Sequence, residues 1–342
     1  MKRRFIMVGC GGFARGNWIN RVFPDFADRI EAAALVDVAP DVLKDAGGVL
    51  NVPEKRQFTD IRTAFEQTEA DFCCIVVPPA YHKDAVLCAV KKGIPILSEK
   101  PIADTLEAGH EIYRKVTASG VKMAVIQNYR YTPRILAFKK ALDGGSLGRI
   151  NYIIGRFAAN YLKYGAWGKA FRHEIPNSLL IEGSVHHFDM LRNLAGADCK
   201  TITGYNWNPA WSSFKGNSTA VYVMEMANGV RCFYEGNCSE AGVQNSWHKE
   251  YYRAECEKGA VELGGDDVVR VFRPGQKPEE APLEPAPPTG HHAILDRFLG
   301  WLDGGDPPET QLEDNIKSFA MLFAAIEAAE SKEVKNVADY MP

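Results

Sequence analysis

A short apolar strand candidate, Arg4 to Val8, runs directly into Gly9-Cys10-Gly11-Gly12-Phe13-Ala14, and that junction restricts the fold more than any other part of the chain. A Gly-x-Gly-x-x-Ala turn between a strand and a helix allows a tight bend at Gly9, close approach of a pyrophosphate to the backbone at Gly11, and small-residue packing at Ala14. Gly12 and Phe13 complete the turn, and the helix that follows aims its first amides at the phosphates. A second apolar run, Ala32 to Val36, ends in Asp37, about 20 residues beyond the glycines, where a carboxylate can accept from ribose hydroxyls. A helix cap is the competing role for Asp37. The same carboxylate repels a 2'-phosphate, and Val38 and Ala39 offer no cation to hold one, so NAD is favoured over NADP.

Apolar runs continue to alternate with helical patterns through the first third of the chain. Strands are expected at Arg4 to Val8, Ala32 to Val36, Phe72 to Val77, Ile94 to Ser98 and Lys122 to Gln127. Helices are expected near Ala14 to Phe23, Pro40 to Ala46, Asp60 to Gln67, Lys83 to Lys92 and Thr105 to Ser119. This is the pattern of a doubly wound parallel sheet covered by helices, a Rossmann domain over residues 1–127. Beyond it a helix from Pro133 to Leu142 leads into longer alternating strands: Asn151 to Tyr161, Thr201 to Asn208, Ser218 to Met226 and Arg231 to Cys238. Asn228-Gly229 signals a type I' hairpin, and further strands are expected at Glu250 to Glu257 and Val268 to Arg273. Residues 128–342 therefore read as an α+β domain on a largely antiparallel sheet, its C-terminal helices, His292 to Leu302 and Leu312 to Ala329, able to pack back on the first domain. Pro274 to Gly290 is proline-rich and reads as a surface connection.

Composition narrows the partners. The 342 residues are 46% hydrophobic and 24% charged, enough apolar material for two cores, and the net charge of -3 gives no basic field for nucleic acid or an anionic membrane. Cys73, Cys74 and Cys88 lie in apolar patterns, and Cys199, Cys232, Cys238 and Cys256 show no metal-ligand spacing, so reduced thiols and no metal are expected. The apolar stretch after Met1-Lys2-Arg3-Arg4 is too short for a signal sequence, and no run approaches the roughly 20 residues that span a bilayer. A cytoplasmic protein acting on small molecules is the expectation.

Two groups of residues carry chemistry. Lys100, in Glu99-Lys100-Pro101, ends the apolar run Ile94 to Ser98, where a lysine lies beside the nicotinamide end of a dinucleotide and can hold a substrate oxygen. Glu99 is expected among the cofactor-binding residues, and the residues alone leave a salt bridge between it and Lys100 open. Pro78 and His82 follow an earlier strand on a loop expected to line the cofactor crevice, with His82 a helix-start or cofactor-side residue. In Glu182-Gly183-Ser184-Val185-His186-His187-Phe188-Asp189, spacings of four and three put Glu182, His186 and Asp189 on one helix face, so that carboxylates flank an imidazole able to exchange a proton. A buried structural histidine is the alternative for His186; His187 points elsewhere.

The glycine turn, Asp37 and Glu99-Lys100-Pro101 at these separations resemble the glucose-fructose oxidoreductase, inositol dehydrogenase and rhizopine catabolism (Gfo/Idh/MocA) family, over nearly the whole chain. The resemblance implies that Lys100 contacts both substrate and nicotinamide, that the Lys100-Pro101 bond is cis, and that His186 is the general base. Glu182 departs from the family's aspartate; binding a substrate hydroxyl, contacting Lys100 and pairing with a basic neighbour are all open to it. Substrate contacts are expected from Arg130 and Tyr131, just after the last parallel strand, and from Tyr161, Lys163, Trp167, Arg172 and His173, a mixture of aromatic faces and donors suited to sugar hydroxyls or an anionic sugar. A subunit interface or a solvated loop would use the same residues. The implied activity is NAD-dependent hydride transfer at a secondary alcohol of a sugar, sugar derivative or polyol. Two alternatives accompany it: a glycosidase that retains its NAD through transient oxidation and elimination, and a non-catalytic dinucleotide-sensing regulator. The resemblance also implies a homodimer or homotetramer, assembled through the open face of the second sheet.

Overall fold

In the computed structural model, which describes residues 2–242, 248–283 and 288–342, the apolar runs of the first third pair side by side as a parallel sheet. Its strands are β1 Arg3–Val8, β2 Ile30–Val36, β3 Gln57–Phe58, β4 Phe72–Ile75, β5 Ile96–Glu99 and β6 Met123–Ile126. Among the described residues their order is β3-β2-β1-β4-β5-β6, with every neighbouring pair parallel. β4 and β6 are buried at every residue, as strands covered on both faces must be. The order reverses at β1, which pairs with β2 on one side and β4 on the other. The crevice outside the carboxyl ends at such a reversal is where ligands of open parallel sheets bind.

Helices Ala14–Val22, Pro40–Leu50, Ile61–Gln67, His82–Lys92 and Leu106–Ser119 connect the strands. Asp60 and Thr105, expected as first helical residues, are N-caps whose side chains accept from the amides of Thr63 and Ala108. The described residues divide into two compact units, and residues 291–316 count with this first one. Three contacts show how the segment joins the parallel sheet. Phe298 meets Phe72 edge to face at 5.7 Å, Lys122 Nζ donates to the Trp301 carbonyl at 2.6 Å, and the Val125 amide donates to the Thr310 carbonyl at 2.9 Å.

The second unit comprises residues 128–290 and 317–341. Its strands are β7 Ile150–Ala158, β8 Cys199–Trp207, β9 Thr219–Met226, β10 Arg231–Asn237, β11 Tyr251–Cys256, β12 Gly259–Leu263, β13 Val269–Phe272, β14 Glu279–Glu280 and β15 Lys335–Asn336. They form one sheet in the order β14-β13-β12-β11-β7-β10-β9-β8-β15, antiparallel among the described residues except for the central pair β7 and β10. The turn at Asn228-Gly229 differs from the expected type I'. Only Gly229 takes a positive φ, +88°, and its amide donates to the Met226 carbonyl at 2.9 Å, which gives a three-residue loop closed by a left-handed glycine. The proline-rich stretch read between Pro274 and Gly290 includes 284–287, which lie outside the described residues.

One face of this sheet is covered. Phe188, on the helix Val185–Ala195, meets Tyr222 and Tyr234 edge to face at 5.7 and 5.1 Å, contacts worth about 0.5–1.5 kcal/mol each beyond the area they bury. Tyr222 Oη donates to the Ala325 carbonyl at 2.9 Å from the same side. Alternate residues of β9 and β10 point the other way, and there Val223 is 43% and Phe233 40% exposed, with Tyr205 of β8 at 61%. The sheet is open on that face. Among the described residues no helix is long and apolar enough to cross a membrane, and all eight cysteines are free thiols.

Candidate functional site

In the first unit the site begins with backbone geometry. Gly9 has φ +88°, and a Cβ there would lie 2.2 Å from the Val76 carbonyl oxygen, so only glycine lets β1 turn against the chain leaving β4. The Gly9 amide donates to the Val36 carbonyl at 2.8 Å, and Asp37 fixes the turn from its other side. Its Oδ2 accepts from the Cys10 amide at 2.9 Å and its Oδ1 from the Ala39 amide at 3.0 Å. Asp37 thus sits against the glycine loop. Gly11 has little around it: a Cβ there would meet only Asp37 Oδ2, at 3.9 Å. Gly12 and Phe13 are exposed and Ala14 is buried where the helix leaves the sheet. This cradle fits a dinucleotide pyrophosphate. Burial, with the neighbouring Asp37 charge, pushes the Cys10 thiol up to about 12, which keeps it an unreactive part of the turn.

The Ala14–Val22 segment is wound as a π-helix, and its buried Trp18 reaches the end of β5. Trp18 Nε1 donates to Glu99 Oε1 at 3.1 Å, and His291 Nε2 lies 3.8 Å from the same oxygen. The His291 ring packs edge-on against Trp18 at 5.3 Å and beside Phe13 at 5.8 Å. Glu99, read as cofactor-binding, therefore anchors the base of the loop through Trp18 and His291. Neither residue was expected here; His291 comes from a segment nearly two hundred positions away in sequence. Lys100 follows, half-buried at the carboxyl edge, and the Lys100-Pro101 bond is cis. Pro78 is exposed on the neighbouring loop. His82 is not: its ring is 0% exposed, with Nδ1 2.8 Å from the Pro101 carbonyl oxygen and Nε2 2.9 Å from that of Val77. It braces the loops from behind rather than presenting a face to a cofactor.

In the second unit His186 lies on the helix Val185–Ala195, 4% exposed, with Tyr129 stacked on its ring at 4.3 Å and 4° between planes. The two carboxylates expected beside the imidazole both have arginine partners. Asp189 takes Arg130 in a two-pronged pair, Nε to Oδ2 at 2.7 Å and Nη2 to Oδ1 at 2.6 Å, and also accepts from Ser318 Oγ at 2.6 Å. Arg130, expected on substrate, is thereby a buried anchor for the 128–131 turn, where Tyr131 is also buried. Glu182 lies in a π-wound turn, Leu179–Ser184, that precedes the α-helical part, so its spacing of four to His186 is not an α-helical one. Its Oε2 accepts from Arg172 Nε at 2.7 Å.

Arg172 draws several expected residues together. Its Nη1 donates to the Trp167 carbonyl at 3.0 Å, and its guanidinium lies 5.7 Å from the Trp167 ring centroid and 5.2 Å from that of Phe171. Trp167 stacks on Tyr161 at 5.3 Å with 8° between planes, and burial pushes the Tyr161 phenol up to about 12. Tyr161, Trp167, Arg172 and Glu182 thus form one aromatic and polar cluster, with Lys163 exposed on the same loop. His173 is not part of it. Its ring is buried against Phe214, 4.0 Å between centroids, its Nδ1 lies 3.1 Å from Ser213 Oγ, and burial lowers its pKa. His187 forms a further buried network: Nδ1 is 2.7 Å from Tyr234 Oη, which is 2.8 Å from Ser184 Oγ, and Nε2 faces Glu250 at 3.5 Å. Among the described residues no group of three or more His, Cys, Asp or Glu is placed to hold a metal ion.

Comparison with known proteins follows the same division. Residues 3–127 match the GFO_IDH_MocA model, an oxidoreductase family with an NAD-binding Rossmann fold, and residues 135–262 match the GFO/IDH/MocA C-terminal domain. The uncharacterized protein y4oX of Sinorhizobium fredii is 35% identical over 100% of this chain and 97% of its own length. D-apiose dehydrogenase of Paraburkholderia graminis is 22% identical over 96% of this chain and 88% of its own. An oxidoreductase from Agrobacterium radiobacter, solved in complex with NAD+, L-tartaric acid and magnesium, superposes with a TM-score of 0.88 at 20% identity over 100% of both chains.

Proposed function

The chain belongs to the Gfo/Idh/MocA family of oxidoreductases, and from that membership we propose that it is an NAD-dependent dehydrogenase acting on a secondary alcohol of a sugar, sugar derivative or polyol. The observation that carries the proposal is Lys100, half-buried on the loop leaving a buried strand at the carboxyl edge of a dinucleotide-binding sheet. The similarity to a D-apiose dehydrogenase over 96% of the chain supports a sugar-like substrate.

A bound nicotinamide supplies the carbon that accepts hydride. Lys100 Nζ holds the substrate oxygen and stabilises the negative charge that grows on it as the hydroxyl loses its proton. An imidazole nitrogen of His186 takes that proton, and the Tyr129 ring keeps the imidazole plane fixed while it does so. Glu182 and Arg172 act as a pair that shapes the pocket against Trp167, presenting donors and an aromatic face to sugar hydroxyls. The Gly9 turn holds the pyrophosphate, and Asp37, fixed by two backbone amides, selects NAD by accepting from ribose hydroxyls and repelling a 2'-phosphate. The open sheet face with Val223 and Phe233 is covered by a second copy of the chain.

Lys100→Ala and His186→Ala test the assignment. Each should lower kcat/KM by about 10²–10⁴-fold, while NAD affinity measured by calorimetry stays within a few-fold of wild type. Wild-type turnover in either variant removes that residue from its role, and equal affinity for NAD and NADP removes the selective role of Asp37.

A further inference from the structure

We propose that His82 is a positioning residue for the Lys100 loop, held as an imidazolium that donates one N–H to each of two successive loops at the carboxyl edge of the parallel sheet. His82 opens the helix His82–Lys92 and is 0% exposed. Nδ1 lies 2.8 Å from the carbonyl oxygen of Pro101, which immediately follows Lys100, and Nε2 lies 2.9 Å from the carbonyl oxygen of Val77. The first carbonyl belongs to the loop after β5 and the second to the loop after β4. One ring therefore ties the loop that carries the proposed reacting lysine to the neighbouring loop after β4.

The protonation state follows from donor and acceptor chemistry. A backbone carbonyl oxygen only accepts, and a neutral imidazole carries a single N–H. In the neutral form one carbonyl would face a nitrogen lone pair at hydrogen-bond distance inside the protein, which is an unsatisfied acceptor set against another. Protonation turns both contacts into charge-assisted hydrogen bonds. The clamp fixes the backbone at Pro101, so the root of the Lys100 side chain is held against the rest of the sheet edge. His82 touches neither substrate nor cofactor in this role.

The role of His82 in turnover rests on Lys100 being the residue that holds the substrate oxygen; its protonation does not. The test uses full-length protein labelled with ¹⁵N-histidine, with the His82 signals identified by their loss in His82→Gln. At neutral pH both His82 nitrogens should show directly bonded protons, and a nitrogen without a proton overturns the imidazolium clamp whatever the substrate proves to be. Two variants read the positioning role. His82→Leu should speed hydrogen exchange at the amides of Ile102 and Ala103 and lower kcat at least tenfold with NAD affinity within threefold of wild type. His82→Gln, whose amide NH₂ can donate to both carbonyls, should recover most of the slow exchange and most of kcat. Wild-type exchange and kcat in folded His82→Leu overturn the positioning role. Faster exchange in His82→Leu, together with two protonated nitrogens but unchanged turnover, keeps the clamp and instead contradicts the assignment of Lys100.

Discussion

The buried imidazole of His173, stacked on Phe214, links one side chain to the acid stability of the whole second unit. Burial lowers its pKa below the ordinary 6.5, so the folded state prefers the neutral ring while the unfolded chain binds a proton more readily. The unfolded state then holds more protons as the pH falls below 6.5, and stability drops with it. The contribution is fully present above the unfolded pKa and is lost as pH falls through the folded one. His173→Phe keeps the stack and removes the titration, so its unfolding midpoint should fall less steeply with acid than that of wild type. Parallel pH dependences in the two proteins would contradict this. His173 also shows what was illegible in sequence: an aromatic, donor-rich loop suggested a substrate contact, but the Phe214 that covers the ring lies 41 positions downstream. The same holds for Asp189, whose spacing to His186 is as read and whose partners, Arg130 and Ser318, come from 59 positions before it and 129 after.

At the level of elements, legibility followed the strength of the period. The parallel strands stood out because both faces are buried, leaving nearly unbroken apolar runs such as Phe5 to Val8. β3, β14 and β15, of two residues each, are too short to show alternation. The π-wound turn at Leu179–Ser184 has no sequence signature, yet it decides that Glu182 meets Arg172 out of α-helical step with His186. The glycine turn was legible in position, and it carries a sharp prediction. Gly9→Ala would put a methyl 2.2 Å from the Val76 carbonyl oxygen at a φ of +88°. The left-handed conformation alone costs an alanine roughly 1–2 kcal/mol, and relieving the clash must move β1 or the loop after β4. Calorimetry should show a lowered Tm and NAD affinity reduced at least tenfold; an unchanged Tm would mean that the turn is not packed as described.

On the scale of the molecule, the sequence divided the chain near residue 127 and allowed the C-terminal helices to pack back on the first domain, but it did not mark 291–316 as the stretch that counts with the first unit. That return depends on Phe298 meeting Phe72 and on backbone pairing of Val125 with Thr310, contacts between segments far apart in the chain. The open sheet face has a more readable origin, since the alternation of β9 and β10 leaves Val221, Val223 and Phe233 on the side without helices. If a second copy covers that face, Val223→Arg places a charge among apolar side chains at the interface. Light scattering should then report monomer where wild type is a dimer or tetramer, while the circular dichroism of the fold is kept. An unchanged oligomer would locate the interface elsewhere.

The central claim is that the chain carries out net hydride transfer with a dissociable NAD. Its most direct test is to mix purified protein and NAD with a panel of sugars, polyols and glycosides, following NADH formation and glycoside release together. The dehydrogenase account predicts stoichiometric NADH with an oxidised sugar or polyol, and loss of that signal in Lys100→Ala. Glycoside release with no net NADH, or NAD binding with no turnover of any member of the panel, would contradict it.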